Sequence, residues 1–190
     1  MKKVFYSIML LVLALVAYYL TGSTVTENLD SHVYELPFRP GAEFTVVQGY
    51  GGLFSHRHKA ALDFSMPVGT PVYAARGGTI YRFKDDSDEG GPFARYEKKA
   101  NYIIIQHSDG SFGCYWHLRK GGVAVQTGVV RTGQLIGYSG ATGFVLRPHL
   151  HFTVKRRLSY AKDAFVRTRF RTNEGVQLLA GGHSYQRSKE

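Results

Sequence analysis

Pro148-His149-Leu150-His151-Phe152-Thr153-Val154-Lys155 is the stretch that decides the fold. Its Leu150–Lys155 portion reads as a β-strand. Side chains two residues apart on a strand share a face, so His149 and His151 point to the same side. Short β-rich runs recur upstream at close spacing: Glu43–Gln48, Ala61–Phe64, 72–75, Gly78–Lys84, 101–107, 112–117 and 135–138. Ser108-Asp109-Gly110 joins two of them as a hairpin turn, with glycine free to take positive φ. Glycine-rich turns at Gly77-Gly78, Gly121-Gly122 and 140–143 separate others. No long stretch has helical period. The fold class expected is all-β: a compact antiparallel β-sheet or sandwich whose glycine-rich loops wall a groove.

The N-terminus differs from the rest. Lys2 and Lys3 precede an uncharged apolar run at 4–20, the pattern of an export signal or of a short bilayer anchor. Residues 1–23 are therefore expected to be an apolar helix that acts as signal peptide or membrane anchor. Either places the remainder outside the cytoplasm, in the periplasm or cell envelope, released or tethered to the inner membrane. Residues 24–42 are polar and punctuated by proline, and read as a linker. The folded domain is expected at 43–158, with 159–190 as an extension packing on or trailing it.

Composition bounds the function. The chain has 190 residues, a formal net charge of +10 and one cysteine. A single Cys114 excludes an intramolecular disulfide and an all-cysteine metal site. It lies in an apolar strand and reads as a small buried side chain rather than a nucleophile. The positive charge favours an anionic partner or surface. Residues 155–171 carry seven Lys or Arg against Asp163 alone, and a solvated basic face explains them as well as a binding patch does. No nucleic-acid-binding motif accompanies the charge, so no specific nucleic-acid partner is expected. The acidic segment at 85–89 opens a long loop, 85–99, expected to overhang one face.

Chemistry is concentrated in histidines and one aspartate. Asp63 sits inside the apolar run Ala61–Phe64, where an unpaired carboxylate would be costly and a strong partner such as a metal is expected. Phe54-Ser55-His56-Arg57-His58 is a polar loop with two histidines. Tyr115-Trp116-His117-Leu118 places another at a strand end. Two histidines on one strand face plus a carboxylate from elsewhere make a zinc site with an open coordination position.

These motifs, in this order, resemble the lysostaphin-like (LytM-domain) zinc metallopeptidases. The resemblance spans about 48–155 and includes Gln48-Gly49-Tyr50, Ala61–Phe64, Pro67-Val68-Gly69-Thr70-Pro71-Val72, Tyr115-Trp116-His117-Leu118, Ser139-Gly140 and Pro148-His149-Leu150-His151-Phe152. It implies Zn²⁺ as cofactor, with His56, Asp63 and His151 as metal ligands. His58 is the alternative first ligand: many relatives place that histidine closer to the aspartate than either candidate does, while others carry it after Phe-Ser, as at His56. The resemblance further implies that His117 and His149 are catalytic and hold the attacking water or stabilise the tetrahedral intermediate.

The function so implied is a zinc-dependent endopeptidase (a peptidoglycan hydrolase) cutting stem peptides or cross-bridges of bacterial peptidoglycan. Peptidoglycan peptides are then the partner, with membrane attachment through the N-terminal segment a further expectation. The alternative is a catalytically silent or autoinhibited module of the same fold that binds the wall or regulates another wall hydrolase.

Overall fold

The computed structural model describes residues 28–189 except 53 and 54, together with 6, 8–10, 12 and 13. The expected signal or anchor at 1–23 therefore lies mostly outside the described residues. Among the described residues, no helix is long and apolar enough to cross a membrane.

Fifteen strands are described; the few described residues before 14 are helical, and from residue 28 onward the fold is all-β apart from short 3-10 turns. They are β1 (Leu29–Glu35), β2 (Glu43–Gln48), β3 (Ala61–Phe64), β4 (Pro71–Tyr73), β5 (Gly78–Lys84), β6 (Gly90–Gly91), β7 (Asn101–Gln106), β8 (Phe112–Val123), β9 (Val129–Val130), β10 (Leu135–Ser139), β11 (Gly143–Phe144), β12 (Leu150–Lys155), β13 (Phe165–Thr172), β14 (Gly175–Leu178) and β15 (Ser184–Gln186). A large sheet runs in the order β15-β2-β3-β12-β8-β7-β5-β9, antiparallel throughout. β10 joins β8 to β4, and β13 extends from β12 to carry β14 and β1. The β7–β8 hairpin turns at Gly110, whose φ is 80°.

The core forms on one side of this sheet. Leu62 and Phe64 of β3, Ile103 and Ile105 of β7, Tyr115 of β8 and Leu150, Phe152 and Val154 of β12 are all buried in one cluster. Phe152 is its hub, with ring centroids 5.0 Å from Tyr115 and 5.8 Å from Phe170. Burying such rings stabilises the fold by roughly 2–3 kcal/mol each.

Two segments differ from the sequence reading. Part of the expected linker at 24–42 is β1, paired in parallel with β13. Its Tyr34 packs edge-on to Phe152, and Leu36 and Phe38 beyond it are fully buried. Within β1 only Tyr34 is buried, so the strand has no apolar alternation to betray it. The expected extension at 159–190 supplies β13, β14 and β15, strands of the sheet itself. Along β13 the residues Val166, Thr168, Phe170 and Thr172 are buried, whereas Arg167, Arg169 and Arg171 are not. Three of the seven basic residues in the run seen in the sequence thus alternate along one strand, opposite its buried side chains.

Candidate metal centre

The site is written across a row of strands. Gln48 of β2 opposes Asp63 of β3, Asp63 opposes His151 of β12, and His151 opposes Trp116 of β8. Directly opposed residues share a face, so pairing alone brings Asp63 to His151. The loop between β2 and β3 adds His56, which is fully buried. His56 Nε2 lies 3.1 Å from His151 Nδ1 and 3.2 Å from Asp63 Oδ1, and His151 Nδ1 lies 2.8 Å from Asp63 Oδ1. The ligand-capable atoms of these residues fall within 4.8 Å of one another. His58, the alternative from sequence, is not part of this group.

The donor chemistry fits a cation. His56 Nδ1–H donates to Gly49 O at 3.1 Å, which assigns a bare lone pair to Nε2. One proton on His151 Nδ1 can serve both Asp63 and His56. That leaves His56 Nε2 and Asp63 Oδ1 as two lone pairs facing each other at 3.2 Å. A cation held by His56, Asp63 and His151, in place of the His151 Nδ1 proton, would resolve this repulsion, and two imidazoles with one carboxylate are a donor set suited to zinc. Burial works to raise the Asp63 carboxyl, but the hydrogen bond from His151 and the neighbouring His56 ring outweigh it and hold it well below the usual carboxylate range. Gln48 Nε2 bonds Ser55 Oγ at 2.7 Å and reaches the second Asp63 oxygen at 3.4 Å.

His117 and His149 complete the cluster. Their ring centroids are 4.7 Å apart, and that of His117 is 5.9 Å from His151. Alternation would send His117 away from the groove, because Trp116 already faces it. A bulge prevents this: Asn101 pairs with Leu118 and Tyr102 with Trp116, so His117 is an extra residue in β8. It has φ 67°, the only positive value among the described non-glycine residues. Such a conformation costs of order 1–2 kcal/mol and re-aims the side chain. His117 Nδ1–H donates to Thr142 O at 2.7 Å and His149 Nδ1–H to Arg147 O at 2.9 Å, leaving both Nε2 atoms as lone pairs. Burial, with His149 and His151 nearby, pushes the His117 imidazole down to about 3, so it is neutral at neutral pH.

A buried polar network holds the bulge, and nothing in the sequence pattern singled it out. Asn101 is fully buried; its side chain donates to Ser87 O at 2.7 Å and Leu118 O at 3.3 Å. Thr142 Oγ1 donates to Leu118 O and accepts from Asn101 N. Gly140 bridges to His149, and a Cβ there would sit 2.4 Å from Arg119 N, so only glycine allows this approach.

The cluster opens into a groove of about 660 Å³. Its lining includes Gln48, Ser55 and Lys59, Trp116 and residues 144–147, and Ala94 and Glu97. The 85–99 loop thus contributes to the lining through its 3-10 turn, Ala94–Lys99. Three of its acidic residues are paired with lysines: Asp86 with Lys84, Asp88 with Lys120 and Glu89 with Lys99. Cys114 is buried with its thiol pushed up to about 12 by burial, which suits a packing side chain.

A two-histidine, one-carboxylate centre with further histidines beside it, in an open groove on a β-sheet, defines a domain of the metallopeptidase class. Residues 57–163, more than half the chain, match Peptidase family M23, and the chain belongs to that family. The matched span contains Asp63, His117, His149 and His151 and begins one residue after His56. The chain is 41% identical over 91 residues to the peptidoglycan DD-endopeptidase ShyA of Vibrio cholerae, covering 47% of this chain and 18% of that protein. It is 39% identical over 92 residues to lysostaphin of Staphylococcus simulans, covering 48% and 17%. The chain therefore matches only about a fifth of these relatives' length. Among solved structures, pseudoalterin, an M23 metalloprotease from the deep sea, has a TM-score of 0.50 at 18% identity, covering 85% of this chain and 98% of that one, a likeness of fold.

Proposed function

We propose that this protein is a zinc-dependent endopeptidase that hydrolyses peptide bonds in the stem peptides or cross-bridges of bacterial peptidoglycan. The observation that carries the reading is the convergence of His56, Asp63 and His151 within 4.8 Å in an open groove flanked by His117 and His149. His56, Asp63 and His151 would hold the metal. When bound, zinc supplies Lewis acidity toward the scissile carbonyl and the attacking water.

The remaining chemistry belongs to the chain. The bare Nε2 of neutral His117 accepts a proton from the attacking water, and its bond to Thr142 O fixes the ring. That proton passes to the departing amine as the C–N bond breaks, while His149, held by Arg147 O, accepts a hydrogen bond that helps orient the water. Gly49 O and Gln48 orient His56 and Asp63. The groove aligns an extended peptide beside these groups, which lowers the entropic part of the barrier. A peptidoglycan substrate also entails export, and in this reading the apolar segment behind Lys2 and Lys3 directs or anchors it.

The test is incubation of the purified protein, with zinc or with chelator, with muropeptides of known cross-linking, products being read by mass spectrometry. Cleavage is expected with zinc, and none with chelator or for Asp63→Ala and His151→Ala. Equal cleavage by Asp63→Ala would sink the metal assignment. Zinc binding without cleavage of any muropeptide would favour a catalytically silent module.

A further inference from the structure

The groove face of β12 continues past the metal centre. Thr153 and Lys155 follow His151 along the same lining, and at the far end stand Tyr160 and Phe165. Lys155 is only 6% exposed. Its Nζ lies 4.4 Å from the Tyr160 ring centroid and 4.5 Å from that of Phe165, and donates to Ser159 O at 3.1 Å. An ammonium has three donors, so two are left over. The lysine ion pairs among the described residues are those of Lys84, Lys99 and Lys120; no carboxylate pairs with Lys155. Lys59, which lines the same groove, is likewise without one, and its charge acts unfavourably on Lys155.

A nearly buried ammonium with a second cation beside it is costly unless an anion arrives. Two aromatic faces offset part of that cost and also thin the surrounding water, which strengthens any ion pair made there. Burial pushes the Lys155 pKa down, and Lys59 adds to this, as expected for a cation awaiting its partner.

We propose that the Lys155–Lys59 end of the groove is a subsite for a free carboxylate of the peptide substrate. This rests on the endopeptidase reading above and adds a substrate class: a peptide with an acidic group remote from the bond cut. Four residue steps along β12 lead from His151 to Lys155, about 13 Å at strand spacing. An extended peptide covers that distance in roughly four residues. With the metal centre at one end and cations at the other, the groove fixes which way the chain lies.

The experiment compares two muropeptides of identical sequence and cross-linking, one with its stem carboxylate free and one with it amidated, cleaved by the zinc-loaded full-length protein. Amidation is expected to lower kcat/KM about tenfold, chiefly through KM. Lys155→Met is expected to cut both forms alike, at the rate the wild type shows on the amide. Lys59→Gln, at a more exposed position, serves as the second variant should Lys155→Met unfold early in a thermal melt, and it should narrow the preference. Equal kcat/KM of the wild type on both forms, or a full preference surviving both substitutions, overturns the subsite. If the wild type cuts neither form, the endopeptidase reading fails, and calorimetric titration with both peptides then decides the subsite separately. Tighter binding of the carboxylate form, lost in Lys155→Met, upholds it, and equal binding rejects it.

Discussion

The two faces of β12 are made of alternate residues and do opposite things. Leu150, Phe152 and Val154 are buried in the aromatic core and make no polar side-chain bond. His151, Thr153 and Lys155, with His149 just before the strand, line the groove, and each of these four carries a polar group. The core face gains free energy by leaving water. The groove face loses some, because imidazoles and an ammonium are held with incomplete partners. Because the period of a strand is two, stability and chemistry are separated by a single residue step and can be altered independently.

The largest effect expected from breaking this division is on activity. Removing the proposed metal ligand on the groove face with His151→Ala should lower kcat/KM by at least ~10³-fold, the equivalent of several kcal/mol of lost Lewis-acid assistance. The same variant, melted without metal, should unfold within a few degrees of the wild type, because no core contact is lost. A large drop in its metal-free Tm would show that the two faces are not separable.

One residue along, Phe152→Ala should do the reverse. Its ring touches Tyr34, Tyr115 and Phe170, and a cavity there should cost about 3–5 kcal/mol in a denaturant melt. Whatever fraction of the protein remains folded should still bind zinc, because Asp63 and His151 are held by strand pairing rather than by the ring. Loss of zinc binding by the folded fraction would mean that the core face positions the ligands.

Sequence exposed these two faces unequally. The pair His149 and His151, and Asp63 inside an apolar strand, were legible because two-residue alternation acts locally. The choice between His56 and His58 was not: both lie in one loop, and only the path of that loop brings His56 Nε2 to Asp63 Oδ1. His117 could be named through resemblance, yet its inward aim comes from a bulge that depends on the register with β7, a property of two strands at once. Asn101 and Thr142 fasten that bulge from distant positions and carry no motif of their own. β1 was hidden because only Tyr34 of its residues is buried. β13 was readable in principle: its arginines alternate with buried residues, but their charge suggested a solvated surface before their spacing suggested a strand.

Thr153 sits on the groove face but serves the fold. Its buried hydroxyl donates to Ala60 O at 2.8 Å, tying β12 to the start of β3 next to Asp63. Thr153→Val keeps the shape and leaves that carbonyl unpaired, at a cost of about 1–2 kcal/mol in a denaturant melt. Thr153→Ser, which keeps the hydroxyl, should recover most of it. Equal losses in the two variants would assign the role of Thr153 to its methyl group and to packing.

The smallest effect concerns the strand that breaks the alternation. In β8 the bulge brings His117 to the same groove as Trp116, at the expense of a left-handed backbone. Both His117→Ala and His117→Gly remove the imidazole and its bond to Thr142 O. Alanine keeps the unfavourable φ, whereas glycine adopts it freely. The glycine variant should therefore be the more stable of the two by about 1 kcal/mol, while both lose activity to the same extent. That combination would show strain held in the backbone solely to aim a side chain. If alanine proved as stable as glycine, the backbone would have relaxed once the ring was gone. The conformation at His117 would then be imposed by its bond to Thr142 rather than by the register of β7 and β8.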